Sequence, residues 1–331
     1  MRAESRRMGN VERLLHFKRI PTLADVAAPQ LSALAEHARE RSFPRGSVLL
    51  RGGEPSPALH VLAEGRVGVR RRGRDLGEAR PGSAISALTL LARDEEGVRA
   101  EALTDTVTLE LEADALNEVL EDHFAILRHF VQGIARRLIN LARRTPVIHD
   151  PGRTGPVGGI GSDLDLVERI FVLRQAAPFA ETSVDALSEL ARGMDQVRVA
   201  PGATLWDVGE SASTVHIVID GEVRCTGPDG RVLLDVLPVT PLGEIEGVAG
   251  LPRWFRASTV TPVSLLSIDS EGVLDALEDN SEMALDYLAT TTRWLLALLD
   301  RRAEEGDAQL GPFYESEAVT TGPVVAGDPD V

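Results

Sequence analysis

The chain has 331 residues, of which 43% are hydrophobic and 26% charged, and its formal net charge is −16. This composition is typical of a globular protein large enough for two domains, and the acidic charge argues against nucleic acid and anionic lipid as partners. The single cysteine, Cys225, excludes an intrachain disulfide and fits a reducing compartment. No run of about 18 apolar residues occurs, and no apolar core follows the basic residues 1–7. We therefore expect a cytoplasmic protein without membrane insertion.

The sequence repeats itself along most of its length. Glycines recur at an offset of 156 positions, pairing Gly46 with Gly202, Gly53 with Gly209 and Gly65 with Gly221. After one extra residue the offset becomes 157, as between Gly73 and Gly230. A regular repeat of this size indicates two copies of one folding unit.

Each copy begins with two predicted helices, in which Ala, Leu and Glu recur at helical spacing. They cover residues 11–20 and 29–39, then 166–174 and 184–193. Short apolar strands separated by turn residues follow, at 48–50, 59–62, 67–69 and around Leu76, and again at 204–206, 215–219 and 223–225. The turns at Arg72-Gly73 and Asp229-Gly230 predict hairpins, since such turns need positive φ. We expect the basic run Arg70-Arg71-Arg72 beside the first turn to be solvated.

Each copy ends in a predicted helix with an apolar stripe, at residues 113–141 and 271–303. Residues 145–163 are rich in Pro and Gly, which predicts a flexible linker. Residues 304–331 are acidic and aperiodic, which predicts a disordered tail. The organisation is therefore a first domain (1–144) and a second domain (164–303). We assign the fold class as α+β and mainly β: two β-roll or jelly-roll barrels, each flanked by helices.

The glycine framework resembles that of cyclic nucleotide-binding domains, in both halves of the chain. In the first half the resemblance rests on Phe43-Pro44-Arg45-Gly46 and Glu64-Gly65-Arg66-Val67, and in the second on Ala200-Pro201-Gly202 and Asp220-Gly221-Glu222-Val223. The tandem plan looks similar to the regulatory subunits of cAMP-dependent protein kinase. No basic pseudosubstrate segment precedes the first domain, which argues against kinase inhibition.

Residues 243–253, Gly-Glu-Ile-Glu-Gly-Val-Ala-Gly-Leu-Pro-Arg, are similar to the family's phosphate-binding cassette. The resemblance implies that Arg253 holds the cyclic phosphate, Glu244 the ribose hydroxyl, and that Gly243 allows close backbone approach. A guanidinium can hold two phosphate oxygens at once, and backbone amides at a helix start add donors. Ile245 and Trp254 complete the predicted site.

The cassette departs from the family pattern at several positions. Trp254 and Phe255 follow the arginine, where small residues are usual. Arg256 stands before Ala257-Ser258-Thr259 and fits that small-residue run better, so it is a rival phosphate ligand. Glu246 replaces a small apolar residue and adds negative charge near the anion. The structural alternative is that Glu244 and one of the arginines form an ordinary surface ion pair.

The first domain lacks most of these groups. Ser86-Ala87 replaces the Gly-Glu pair, and Glu96 stands opposite Arg253. Together with Asp94 and Glu95, this carboxylate would repel a phosphate, although Arg99 does match Arg256. We predict that the first domain does not bind a cyclic nucleotide.

These observations predict a non-enzymatic regulatory protein that senses a cyclic mononucleotide, cAMP by family frequency, through its second domain. Movement of the last helix would carry the signal to a protein partner, and Tyr287 or Trp294 on that helix could cover the base. We predict no catalytic residue, no metal site and no cofactor. The alternative is a degenerate pair acting as an interaction scaffold. A transcription regulator is disfavoured by the acidic charge and by the lack of a helix-turn-helix, and the apolar stripes leave a homodimer open.

Overall fold

The first domain consists of two four-stranded antiparallel sheets with helices on either side. The structure, a computed structural model, describes residues 8–144 and 163–304 of the chain. Its elements are α1 (Asn10–Lys18), a 3-10 turn (Pro21–Leu23), α2 (Ala28–His37), β1 (Arg39–Phe43), β2 (Val48–Arg51), β3 (Ala58–Glu64), β4 (Val67–Arg71), β5 (Arg74–Ala79), β6 (Ala84–Ile85), α3 (Ala87–Leu91), β7 (Arg99–Ala102), β8 (Thr106–Glu112), α4 (Ala113–Asp122) and α5 (Phe124–Ala142). The strand orders are β1-β8-β3-β6 and β2-β7-β4-β5.

The second domain repeats this plan. Its elements are α6 (Leu166–Gln175), α7 (Val184–Arg192), β9 (Asp195–Val199), β10 (Thr204–Trp206), β11 (Thr214–Asp220), β12 (Val223–Thr226), β13 (Val232–Val236), β14 (Pro241–Leu242), α8 (Glu244–Ala249), β15 (Arg256–Thr259), β16 (Val263–Asp269), α9 (Ser270–Asp279) and α10 (Ser281–Glu304). Its sheets are ordered β14-β11-β16-β9 and β10-β15-β12-β13. The mixed fold of two flanked β rolls confirms the predicted fold class.

The predicted hairpins are present in both domains. Between β4 and β5, Arg72 and Gly73 have φ of 51° and 75°, which is the left-handed pair that a two-residue hairpin turn requires. Between β12 and β13, Gly230 has φ of 77°. In these two hairpin turns, positive φ falls on glycine at Gly73 and Gly230 and on a non-glycine residue at Arg72.

The helices at the end of each domain differ from the prediction, because each is broken in two. The predicted helix 113–141 stops at His123, where φ and ψ are −130° and 74°, and 271–303 stops at Asn280, where they are −137° and 94°. The Asn280 side chain accepts a hydrogen bond of 2.9 Å from the Met283 backbone N–H and so caps α10. The predicted helix 29–39 is also too long, since Arg39 already begins β1. The breaks let α5 and α10 leave their own rolls.

After the break, each terminal helix crosses to the other domain. Helix α5 packs along α10 and against α8 of the second domain, and α10 packs in turn against α3 and α4 of the first domain. Ala135 and Ile139 of α5 belong to the apolar core of the second roll, together with Trp206 and Phe255. The apolar stripes of both helices are thus buried within the chain.

Ion pairs also stabilise the packing of α10 against the first domain. Arg71 lies 2.7 Å from Asp94 and 3.2 Å from Asp300 of α10, and Arg93 lies 2.7 Å from Asp286. Our expectation that the run at Arg70 to Arg72 is solvated is wrong for Arg71, which is buried because these carboxylates accept its donors.

Two predicted regions lie almost wholly outside the described residues: the linker 145–163 and the tail 304–331. Among the described helices, none is both long and apolar enough to cross a bilayer.

Candidate ligand site of the second domain

The candidate site begins at Gly243, which precedes α8 in the left-handed conformation with φ of 83°. A Cβ at this position would lie only 2.2 Å from Nη1 of Arg253, so a side chain is excluded by contact as well as by backbone conformation. In the first domain, Ser86 occupies the equivalent position with φ of 69°. The site thus depends on glycine in one domain and has lost it in the other.

Arg253 lies beneath the start of α8 and is 2% exposed. Its Nη1 donates to the Gly243 carbonyl at 2.8 Å, and its Nη2 donates to the Thr214 carbonyl. The guanidinium carbon lies 3.9 Å from the ring centroid of Trp206, a cation–π contact. Its Nε has no hydrogen-bond partner among the described residues. Arg253 therefore joins the cassette to β11 through backbone carbonyls.

The two glutamates of the cassette are both buried, Glu244 at 6% and Glu246 at 4% exposure. The ion pair to Arg253 is formed by Glu246, whose Oε2 lies 3.8 Å from Nη1. Glu246 also accepts a hydrogen bond from the Trp254 side chain. The two residues that depart most from the family pattern, Glu246 and Trp254, are thus in contact. The side chains of Glu244, Glu246 and Arg253 are all buried. The cluster is therefore not an ordinary surface ion pair.

Burial controls the protonation of both carboxyl groups. It raises the pKa of Glu244 to about 7, with a smaller contribution from the charge of Glu246 and opposition from the Arg253 charge. Burial also raises the pKa of Glu246, against which the Arg253 charge and the Trp254 hydrogen bond act. A carboxyl group taken out of water favours its neutral form unless a partner compensates, and only Glu246 has a close cation.

Arg256, the rival phosphate ligand, lies elsewhere. Its side chain is 50% exposed on β15, where it donates to Thr204 Oγ1 at 2.8 Å and lies 3.5 Å from Asp207. The structure therefore places Arg253 inside the second domain and Arg256 on its surface, and does not bring the two together.

A cavity of about 160 Å³ lies between the second roll, α8, α5 and α10. We call it the second-domain cavity. Its lining includes the predicted site residues Gly243, Glu244, Ile245 and Trp254, but not Arg253 or Arg256. Trp294 of α10 lines it as well, whereas Tyr287 is fully buried against Phe179 and its hydroxyl has no partner among the described residues. Of the two aromatic residues expected to cover a base, only Trp294 reaches the cavity.

Sequence reasoning missed one wall of this cavity. Leu138, Ile139 and Ala142 of α5 belong to the first domain, yet they line the cavity of the second. The apolar stripe of α5 was the available signal, but a stripe shows only that a face is buried and not which partner covers it.

In the first domain, two acidic residues of the loop equivalent to the cassette form ion pairs within that domain. Asp94 accepts from Arg71, and Glu96 pairs with Arg72 on the β4–β5 turn. Arg99 is exposed beside Glu101. Within residues 8–144 and 163–304, no group of three His, Cys, Asp or Glu side chains is arranged to hold a metal ion.

Comparison with known proteins places this geometry in a family. The model of the cyclic nucleotide-binding domain matches residues 40–123 and 196–280. An uncharacterized NTE family protein of Mycobacterium tuberculosis is 28% identical over 285 residues, covering 77% of this chain and 47% of that protein. A cGMP-dependent protein kinase, egl-4 of Caenorhabditis briggsae, is 24% identical over 271 residues, covering 80% of this chain and 31% of the kinase. The chain thus spans about half the length of the first relative and about a third of the second.

The solved structures that match this chain include the regulatory domain of Toxoplasma gondii PKA with cAMP. It is 14% identical, with a TM-score of 0.34, and the match covers 92% of this chain and 99% of that one. The two matched regions of the family model together cover half of the sequence and coincide with the two β rolls. The chain therefore belongs to the cyclic nucleotide-binding domain family and carries two copies of that domain.

Proposed function

We propose that this chain is a non-enzymatic regulatory protein that senses a ligand of the nucleotide class through its second domain. The ligand is a cyclic mononucleotide or the nucleoside it contains, and family resemblance makes cAMP the reference compound. One observation carries the proposal: the second-domain cavity is bounded by the cassette on one side and by helices of both domains on the other. A ligand held there contacts the parts of the molecule that join its two halves.

The size of the cavity connects binding to movement. Its volume of about 160 Å³ is smaller than the roughly 300–1,000 Å³ of ordinary small-molecule sites. Full insertion of a nucleoside or nucleotide is therefore favoured by an outward shift of α5 or α10. A ligand that binds the shifted arrangement more tightly than the closed one changes the population of the two.

The contacts of α10 suggest where such a shift is transmitted. This helix lines the cavity with Trp294 and Leu298, and two residues further on it carries Asp300, which binds Arg71 of the first domain. Asp286 near its start binds Arg93. Displacement of α10 would break these ion pairs and expose a surface of the first domain to a protein partner. In this proposal the first domain responds to the ligand without binding one.

The tryptophans provide the test. The chain has 3 tryptophans; Trp254 and Trp294 line the cavity and Trp206 stacks on Arg253. We expect intrinsic fluorescence of the full chain to change saturably on titration with cAMP, cGMP, adenosine or guanosine. Hydrogen exchange should quicken in α5 and α10 at saturation. No fluorescence change and no thermal shift with any of the four at about 1 mM, a binding free energy weaker than about −4 kcal/mol, would refute the proposal.

A second function, an interaction scaffold without ligand, has one observation in its favour. The donors Nη1 and Nη2 of Arg253 are already bonded to backbone carbonyls, and Trp254 and Phe255 pack in the roll core. A scaffold would show none of the fluorescence responses above. It would bind its partner equally well in the presence and absence of every nucleoside and nucleotide tested.

A further inference from the structure

The charges that face the second-domain cavity are of one sign. Among the described residues that line it, Glu244 and Glu246 are the charged ones, and the rest are apolar, glycine or Thr240. A cyclic phosphate is a monoanion, so this cavity would hold it against two carboxyl groups with no cation on the lining. Burial of an uncompensated charge is strongly unfavourable, and like charge on the walls adds to the cost.

The arginine that the family pattern assigns to the phosphate is directed away from the cavity. Arg253 donates to the Gly243 and Thr214 carbonyls. Turning it toward a ligand would leave both acceptors without these donors in a buried place, which is unfavourable. Arg143 at the end of α5 acts electrostatically on Glu246 but is exposed and lies outside the lining.

The same walls suit an uncharged ligand that carries hydroxyl groups. An ionised carboxylate accepts several hydrogen bonds and a neutral carboxyl can also donate one, so Glu244 and Glu246 can bind ribose hydroxyls. Trp254, Phe255 and Trp294 offer aromatic surface for a planar base. An uncharged ligand brings no negative charge toward Glu244 and Glu246, so it avoids the repulsion that a cyclic phosphate meets there.

We propose that the second domain selects an uncharged nucleoside over the matching 3′,5′-cyclic phosphate, and that Glu246 is the residue that sets this preference. The inference rests on the ligand-sensing function proposed above and names the ligand class for the same cavity. Glu246 stands at a cassette position where a small apolar residue is common, and its carboxyl group interacts with the Trp254 side chain.

The experiment compares matched ligand pairs on the full chain by isothermal titration calorimetry: adenosine with cAMP, and guanosine with cGMP. We expect at least one nucleoside to bind with a Kd about tenfold or more below that of its cyclic phosphate, the least that a like charge in a buried site should produce. A cyclic phosphate that binds as tightly as its nucleoside, or more tightly, would overturn the inference and leave the sensor function standing. If none of the four binds at about 1 mM, the sensor function fails and the inference fails with it.

Variants at Glu246 then test the assigned residue. Glu246→Gln keeps the size and one acceptor oxygen but removes the charge, and Glu246→Ala removes the charge and the hydrogen-bonding group together. We expect both variants to lower the ratio of the cyclic phosphate Kd to the nucleoside Kd by about tenfold, or to reverse the preference. The exposed Glu271→Gln on α9 is the matched control and should leave the ratio unchanged. Melting temperatures identify any variant that has not folded. A ratio that stays at its wild-type value in folded Glu246→Gln would show that Glu246 does not set the preference.

Discussion

Arg71 of the first domain and Asp300 of the second are 229 residues apart in sequence, yet their side chains lie 3.2 Å apart. Arg71 is nearly inaccessible to solvent and also binds Asp94 and the Gly97 carbonyl. Such a pair is costly to break because removing one partner leaves a buried charge with fewer contacts. It marks the place where the last helix of the chain is fastened to the first domain.

Removing this contact should destabilise the molecule measurably. We expect Asp300→Ala to lower the free energy of unfolding by about 1–3 kcal/mol, since Arg71 keeps Asp94 but loses its second carboxylate. Hydrogen exchange should increase at the end of α10. The control is Asp235→Ala, which breaks an exposed pair with Arg224 and should cost less than about 1 kcal/mol. Equal effects of the two substitutions in urea unfolding would contradict the structural role given to Asp300.

Two glycines at the ends of α8 separate backbone strain from steric contact. Gly243 and Gly250 both have positive φ, but a Cβ would collide with Arg253 only at Gly243 and would meet nothing within 4 Å at Gly250. We expect Gly250→Ala to cost about 1 kcal/mol for its left-handed conformation alone. Gly243→Ala should cost clearly more, because Arg253 must also move. Chemical denaturation of the two variants checks this order, which similar costs would refute.

Arg253 and Arg256 should differ sharply in their effect on stability without any ligand. Arg253→Ala removes the buried donors to the Gly243 and Thr214 carbonyls, and we expect a loss of about 3 kcal/mol or more. Arg256→Ala removes an exposed side chain and should change stability by less than about 0.5 kcal/mol. Thermal unfolding of the ligand-free variants decides the matter. A wild-type melting temperature for Arg253→Ala would mean that this guanidinium is free for a ligand after all.

Glu244 should make stability depend on pH in an unusual direction. Burial raises its pKa in the folded protein to about 7 from an ordinary 4.5; the charge of Glu246 adds to this shift and the charge of Arg253 opposes it. Between these two values the folded state holds a proton that the unfolded chain has released. Its contribution is therefore fully present below pH 4.5 and is lost as the pH rises toward 7.

The measurement compares wild type with Glu244→Gln, which cannot titrate. We expect the stability of the variant relative to wild type to rise by about 2–3 kcal/mol between roughly pH 4.5 and pH 8. His216 acts in the opposite sense, since burial lowers its pKa to about 4 and it favours the folded state as the pH rises toward 6.5. The difference between the two proteins removes that background. A difference that does not change with pH would show that Glu244 titrates normally.

The sequence predicted the local structure of each domain, but it did not predict that α5 and α10 cross to the opposite domain. Short apolar strands with glycine at their turns predicted both rolls, and the match of residues 243–253 to the cassette located α8. The breaks at His123 and Asn280 could not be predicted, because each depends on one residue inside a continuous helical pattern. The direction of Arg253 could not be predicted either. Its partners are backbone carbonyls, which every residue carries, so the residue types do not reveal them.

The departures from the family pattern were visible in the sequence, but their relation was not. In the sequence, Glu246 and Trp254 are two separate departures from the family pattern. In the structure, the Trp254 side chain donates a hydrogen bond to Glu246. Glu246, and not Glu244, forms the ion pair with Arg253. Sequence spacing gives the distance between two residues along the chain, whereas the bend after α8 decides which of them meet.

The exchange of α5 and α10 between the two rolls determines how the chain can be divided. A cut within residues 145–162 would separate the two repeats along the sequence, but it would take the Leu138, Ile139 and Ala142 wall away from one half and Asp286 and Asp300 away from the other. The core of the second roll would lose Ala135 and Ile139 of α5, and the large cluster that joins the helices would be divided between the halves, whereas a smaller cluster inside the first roll would stay whole. The two repeats therefore form one cooperative folding unit, and a single unfolding transition is expected where two similar domains would ordinarily give two.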